Sequence, residues 1–289
     1  MVGLFFSLTF NKNKLLSMDT TEIKVLLLDA IEAAIEAGKE ILEVYENTFE
    51  VEYKDDKSPL TLADKKAHNV IVKKLKVTGI PILSEEGREV PYGERSMWSN
   101  LWIVDPLDGT KEFIKQNGEF TVNIALAEKG VPILGVIYVP VEDMLYFGAK
   151  DLGAYRQTKA AHNPAPESID ALMEESTKLP EAQERPYTIV GSRSHMSDET
   201  VAYVEEAREK HEKVEMLSKG SSLKICMVAE DSADVYPRFA PTMEWDTAAG
   251  HAIAKEAGLE IYQAKNIDFP LEYNKSDLLN PWFIVKPKA

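Results

Sequence analysis

Apolar residues at Ile23, Leu26, Leu27, Ala30, Ile31, Ala34, Ile35, Gly38, Ile41, Leu42 and Tyr45 recur at intervals of three and four. That period puts them on one face of a long helix over about residues 22–46. A second helix is predicted over about 61–77, with Ala63, Ala67, Val70, Ile71 and Leu75 on its apolar side and Lys65, Lys66, Lys73 and Lys74 facing water. After Gly79 the pattern shortens to apolar runs at 80–83, 101–104, 121–127, 131–139 and 144–147, each bounded by turn residues. These predict strands, with Gly130-Val131-Pro132 turning between two of them. Residues 157–186, rich in Ala, Pro, Glu and Ser and lacking a period, predict a connecting or inserted segment. Beyond it the pattern predicts strand 187–191, helix 197–211, strand 214–217, helices 222–230 and 246–257, and a closing strand 282–285. The expected organisation is an extension (1–18), an α+β half (19–156) and an α/β half (157–289).

The apolar opening MVGLFFSLTF is too short to cross a bilayer, which takes about 20 residues. Lys12 and Lys14 follow it rather than precede it, the reverse of a secretory signal. Asp19-Thr20-Thr21-Glu22 has the spacing of a helix-capping sequence, so the folded chain is expected to begin near Met18. The 289 residues carry 33 Lys+Arg against 48 Asp+Glu, a formal charge of −15. Such a chain lacks the basic footprint that a nucleic acid polymer or an anionic membrane requires. It leaves room for a small phosphorylated ligand held through metal ions. The single cysteine, Cys226, excludes an intramolecular disulfide and suits a reducing cytoplasm. Its neighbours Ile225, Met227 and Val228 make it a core thiol rather than a nucleophile.

Candidate chemistry concentrates at Leu101-Trp102-Ile103-Val104-Asp105-Pro106-Leu107-Asp108-Gly109-Thr110. An apolar strand runs into two carboxylates three residues apart, with proline and glycine expected to force a tight turn after the strand. Carboxylates so close repel each other unless a cation lies between them. A helical turn starting at Gly109 and Thr110 would also offer backbone N–H groups to an anion. Alone, the segment reads equally well as a surface Asp-Gly turn. Two further segments weigh against that. Ile82-Leu83-Ser84-Glu85-Glu86-Gly87 ends another apolar run on a carboxylate pair, and Glu244-Trp245-Asp246-Thr247-Ala248-Ala249-Gly250 begins a helix of small residues with an aspartate. Individually, Glu85 and Glu86 read as a solvated pair, Asp246 as a helix cap and Asp64 as an exposed helix position.

Taken together, SEE, DPLDGT and WDTAAG resemble, in order and spacing, the inositol monophosphatase superfamily of magnesium-dependent, lithium-sensitive phosphatases, which includes fructose-1,6-bisphosphatase. The stretch GSSLKICMVAEDSADVYPRFAPTMEWDTAAGHA, residues 220–252, is closer to its CysQ-type branch, the 3′(2′),5′-bisphosphate nucleotidases. The resemblance runs from about residue 20 to the C-terminus and implies a layered αβαβα sandwich. It implies metal ligation by Glu85, Asp105, the carbonyl of Leu107, Asp108 and Asp246, with two or three Mg²⁺ ions as cofactor. An all-oxygen donor set without a Cys/His cluster suits Mg²⁺ rather than zinc. The resemblance further implies that Asp64 and Thr110 orient the attacking water, and that the backbone at Gly109 and Thr110 cradles the scissile phosphate. Lys224 and Arg238 match positions that grip a second phosphate, and Ser221 and His195 fall among the nucleotide contacts.

The expected reaction is hydrolysis of the 3′-phosphate of adenosine 3′,5′-bisphosphate to AMP and phosphate, clearing an inhibitory by-product of sulfate assimilation. The sulfated nucleotide 3′-phosphoadenosine 5′-phosphosulfate is a further expected substrate. An inositol or sugar phosphatase on the same metal core, and a metal-binding protein without turnover, are the alternatives. The adenine pocket and the oligomeric state, a homodimer included, stay open at this level.

Overall fold

Asp19 opens the first helix as its sequence context predicts. Its carboxylate accepts the Glu22 N–H at 2.9 Å while the Glu22 carboxylate accepts the Asp19 N–H at 3.1 Å, a capping box that starts α1 (Thr20–Tyr45). Ile23, Leu26, Leu27, Ala30, Ile31, Ala34, Gly38 and Ile41 form the buried stripe of this helix. The computed structural model describes residues 17–47, 51–53, 59–162, 168–191 and 197–288.

Antiparallel strands β1 (Val51–Tyr53) and β2 (Pro59–Thr61) precede α2 (Leu62–Leu75). The chain continues through β3 (Ile82–Ser84), α3 (Tyr92–Arg95), β4 (Asn100–Asp108), α4 (Thr110–Ile114), β5 (Thr121–Glu128), β6 (Val131–Val139) and β7 (Met144–Ala149). After these come β8 (Gly153–Thr158), α5 (Ile169–Glu174) and β9 (Thr177–Leu179). The remainder comprises β10 (Tyr187–Gly191), α6 (Asp198–Lys210), β11 (Val214–Ser218), α7 (Leu223–Ala229), β12 (Tyr236–Arg238), α8 (Glu244–Glu256), β13 (Leu259–Gln263), β14 (Asn266–Pro270) and β15 (Phe283–Pro287).

Strands β3 to β9 form one sheet in chain order, parallel between β3 and β4 and antiparallel thereafter. Its central strands are buried on both faces, which is why they read as continuous apolar runs rather than alternating ones. One face packs Trp102, Val104 and Phe147 under α1 and α2. The other packs Leu101, Ile103 and Ile137 against Ile225, Ala248 and Ile253 of α7 and α8. Beyond those helices lies a second sheet, β12-β15-β13-β14, whose Tyr236, Ile261 and Phe283 close the same core. The parallel pair β10–β11 joins it through a bridge between Ile189 and Val235, and α6 covers this outer face with Val204 and Ala207. The order of layers is therefore α, β, α, β, α, as expected. No helix among the described residues is long and apolar enough to cross a membrane.

Some expectations change. The chain does not turn after Val104, because β4 continues through Asp105-Pro106-Leu107 to Asp108. The 157–186 segment is more than a connection: it holds α5, capped by the Ser168 hydroxyl, and β9, the edge strand of the large sheet. Strands β12 and β14 escape the hydrophobic pattern because β12 has three residues and β14 is exposed along its whole length; β13, with Leu259 and Ile261 buried, is a further strand not among those expected. Helix α8 starts two residues before Asp246, which makes that aspartate the third residue of the helix rather than its cap. Residues 1–16, including the apolar opening, lie outside the described residues.

Helix α8 rides close to the large sheet because small residues line the contact. A Cβ on Gly135 of β6 would stand 2.1 Å from the Ala249 carbonyl oxygen, and one on Gly250 2.8 Å from the Ile225 side chain. Gly135→Ala is expected to push α8 off the sheet and cost about 1–3 kcal/mol, read as a lower urea midpoint. Gly93→Ala, with nothing within 4 Å of the added carbon, should not lower it.

Candidate active site

In a regular strand, residues three apart point to opposite faces. β4 departs from that rule, since Asp105 pairs with Asn123 and Asp108 with Thr121, three steps on one strand against two on the other. Pro106, which has no N–H to give to the ladder, sits inside this bulge. Asp105 and Asp108 thereby reach one face, and α8 brings Asp246 to the same point. One oxygen from each of these three carboxylates lies within 4.8 Å of the others. The Asp246 Oδ2 accepts the Met243 N–H at 2.8 Å, so this residue also caps its helix from inside.

Asp105 is 1% exposed. Burial, and then the charges of Glu85, Asp108, Asp246 and Asp64, push its carboxyl well above the usual carboxylate range. Asp246 is raised likewise by burial and by Asp108, with the Met243 N–H acting against the shift. Glu85 extends β3, its N–H donating to the Val104 carbonyl oxygen at 3.1 Å, and its charge is felt by both aspartates. Mutually repelling, built only of oxygen donors and with Asp105 buried, the group fits a hard divalent cation such as Mg²⁺.

A second carboxylate arrangement borders it. Asp64 Oδ2 accepts the Thr61 N–H at 2.8 Å and the Thr61 hydroxyl at 2.6 Å, the capping box of α2. Asp64 is 2% exposed rather than on a wet face, and its Oδ1 accepts the Thr110 hydroxyl at 3.4 Å. That hydroxyl also lies 3.4 Å from the Leu107 carbonyl oxygen. Gly109 turns the chain at φ +95°, where a Cβ would meet the Glu119 carbonyl oxygen at 3.1 Å and the Ser221 Cβ at 3.3 Å. α4 starts at Thr110 and the Phe113 N–H is bonded back to the Gly109 carbonyl at 2.9 Å. The Gly109 and Thr110 N–H groups thus precede the bonded part of the helix.

A cavity of about 130 Å³ is lined by Asp108 and Asp246 together with Ser221, Lys224, Tyr236 and Arg238. The Lys224 ammonium is buried and donates to the carbonyl oxygens of Ser221 at 2.5 Å and Lys219 at 3.3 Å. It stands 5.5 Å from the centre of the Tyr236 ring. Burial pulls its pKa down to about 8, with the Asp108 charge acting against the shift and Arg238 adding to it. Arg238 is half-buried; it donates to the Pro241 carbonyl at 3.2 Å, and its Nε is buried without a hydrogen bond. Ser221 sits at φ +44°, a left-handed conformation costly for a residue with a side chain. His195 lies outside the described residues. Cys226 is buried away from water in the core between the two sheets.

The structure adds residues the sequence reading passed over. Thr121, Asn123 and Ser222 form a buried polar chain that ends on Asp108 Oδ2. The signal was present in Asn123, an amide in the middle of the otherwise apolar run 121–127.

A model of the inositol monophosphatase family matches residues 23–282. The chain belongs to this family. It is 43% identical over 267 residues to the 3′(2′),5′-bisphosphate nucleotidase CysQ of Salmonella typhimurium, covering 90% of this chain and 99% of that one. Against the CysQ of Haemophilus influenzae the identity is 32% over 265 residues, covering 90% of this chain and 92% of the relative. The crystal structure of CysQ from Bacteroides thetaiotaomicron superposes with a TM-score of 0.87 at 52% identity, covering 93% of this chain and all of that one. An inositol monophosphatase from Anabaena superposes with a TM-score of 0.63 at 25% identity, covering 92% of both chains.

A carboxyl whose pKa is raised by folding adds stability that is fully present below its unfolded value, about 4, and is lost as pH rises through the folded value. Asp105 therefore weakens the metal-free protein at neutral pH. Asp105→Asn in the presence of a chelator at pH 7 is expected to raise stability by about 0.5–2 kcal/mol in urea unfolding. The gain should shrink as the pH is lowered towards about 4.

Proposed function

We propose that this chain is a Mg²⁺-dependent phosphatase that hydrolyses the 3′-phosphate of adenosine 3′,5′-bisphosphate to AMP and phosphate, with 3′-phosphoadenosine 5′-phosphosulfate as a further substrate. The observation that carries this reading is one cavity whose lining holds both the carboxylates Asp108 and Asp246 and the cations Lys224 and Arg238. Charges of both signs in one lining suit a ligand with two phosphates, one met through metal ions and one by cations of the chain. The CysQ relatives, which are 3′(2′),5′-bisphosphate nucleotidases, agree with that choice.

Glu85, Asp105, the Leu107 carbonyl, Asp108 and Asp246 would hold two or three ions. Bound there, Mg²⁺ supplies Lewis acidity to phosphate oxygens and to water. The remaining work falls to the chain. Asp64 fixes the Thr110 hydroxyl, and the pair orients a water in line with the scissile P–O bond. The Gly109 and Thr110 N–H groups meet the transferred phosphate at the start of α4. Lys224 as a point charge and Arg238 as a planar fork hold the other phosphate, with Ser221 and His195 contacting the nucleotide.

Phosphate release should require Mg²⁺, fall with Li⁺, and favour adenosine 3′,5′-bisphosphate over inositol 1-phosphate and fructose 1,6-bisphosphate at equal concentration. Preference for the inositol or sugar phosphate would overturn the nucleotide reading while keeping the metal core. Asp64→Asn is expected to lower kcat by about 10²–10⁴-fold with little change in the Mg²⁺ requirement. Lys224→Met should lower kcat/KM roughly 30-fold or more for the bisphosphate and leave hydrolysis of inositol 1-phosphate close to the parent's.

A further inference from the structure

Ser222 occupies the N-cap position of α7 (Leu223–Ala229), where a serine hydroxyl ordinarily accepts a backbone N–H of the first turn. Here the side chain makes no capping bond. Its Oγ lies 2.8 Å from Asp108 Oδ2 and 2.8 Å from the Asp246 carbonyl oxygen. A hydroxyl has one proton to give, so it serves these two acceptors by turns while accepting from Asn123, whose Nδ2 stands 2.8 Å away. Asn123 is itself oriented, because the Thr121 hydroxyl donates to its Oδ1 at 2.9 Å. That bond directs the amide nitrogen to Ser222 and, at 3.5 Å, to Asp108 Oδ2. Thr121, Asn123 and Ser222 are 0%, 1% and 3% exposed, so water does not compete for these bonds.

We propose that Ser222 and Asn123 are positioning residues of the metal centre, holding Asp108 by its Oδ2 and tying it to the first turn of α8 so that the Asp108–Asp246 separation is set. The proposal rests on the metal-dependent reading above. Asp108 ends a strand and Asp246 begins a helix, and two like charges on different elements lower their repulsion by moving apart. A small ion that demands ligand distances near about 2.0–2.1 Å does not tolerate such drift. The hydroxyl of Ser222 bonds to both elements, and Asn123 keeps that hydroxyl turned towards them. Ordinary satisfaction of buried polar groups would give the same hydrogen bonds but no effect on ion affinity, and the two accounts part there.

The test is a Mg²⁺ titration without substrate, followed by thermal unfolding of the full chain, for the parent, Ser222→Ala, Ser222→Thr and Asn123→Ala. Ser176→Ala, whose hydroxyl donates to the Leu172 carbonyl at 2.7 Å far from the site, controls for the loss of a hydroxyl. In Ser222→Ala the Mg²⁺ concentration giving half-maximal stabilisation should rise about 10–100-fold, with a smaller rise in Asn123→Ala. Ser222→Thr should return it to within a few-fold of the parent, and Ser176→Ala should match the parent. KM for the bisphosphate, measured at saturating Mg²⁺, should stay within about twofold. A Ser222→Ala midpoint within twofold of the parent, or no recovery in Ser222→Thr, overturns the proposal. If Ser222→Ala does not fold, Asn123→Ala decides by the same criterion. A parent that shows neither Mg²⁺ stabilisation nor hydrolysis overturns the metal-dependent reading and this proposal with it, whereas a responsive parent with unmoved variants overturns the proposal alone.

Discussion

Repulsion among carboxylates drawn to one buried point is the constraint on which the rest of this structure turns. Asp105, Asp108 and Asp246 come from a strand and a helix on two sides of a cleft, and Asp64 and Glu85 add their charge from α2 and the end of β3. Left to itself, such a cluster would open the cleft or protonate. The fold opposes opening by packing. Gly135 lets α8 press onto β6, Gly250 lets α7 press onto α8, and alanines fill the remaining contact. These small residues contribute little apolar area individually, yet they set how close the carboxylates stand. The stability of the large sheet thus holds in place an arrangement that the acids alone disfavour.

Backbone irregularity at the same point follows from the same constraint. A regular β4 would aim Asp105 and Asp108 at opposite faces, so the bulge through Pro106 is what makes a site out of two carboxylates three residues apart. Gly109 at φ +95° and Ser221 at φ +44° stand so close that a Cβ added at Gly109 would lie 3.3 Å from the Ser221 Cβ. Strain of this kind is expected where a rigid scaffold over-determines a functional geometry.

Much of the fold was legible because its long elements obey a simple period. α1, α2, α6 and α7 lie within two residues of their expected bounds, and Asp19 caps α1 as its spacing indicated. What pattern could not show was geometry between elements. Nothing in the local sequence says that the strand continues through Asp105-Pro106-Leu107, because proline and glycine ordinarily mark a turn. The edge strands β9 and β14 were invisible for a different reason: short or solvent-facing strands carry no apolar alternation. At the site, the motifs located the carboxylates, but Asn123 and Ser222 are informative only once β5 and the start of α7 are known to meet.

The chain's acidity and its proposed ligand are compatible for a reason that also lies in geometry. An overall charge of −15 repels a phosphorylated nucleotide at a distance, although salt screens that field within about 10 Å. Recognition must therefore be local. Among the described residues, Lys224 is taken out of water and hydrogen-bonded to carbonyl oxygens beside the Tyr236 ring, with no carboxylate among them at hydrogen-bond range. A solvated lysine paired with one of the many surface acids would offer an anion much less. Burial that lowers its pKa to about 8 leaves it mostly protonated near neutrality, and a phosphate brought beside it would favour that form further. The same burial that penalises Asp105 thus sharpens Lys224, and the cavity that Lys224 lines with Asp108 and Asp246 gathers charges of both signs at one place on an otherwise acidic chain.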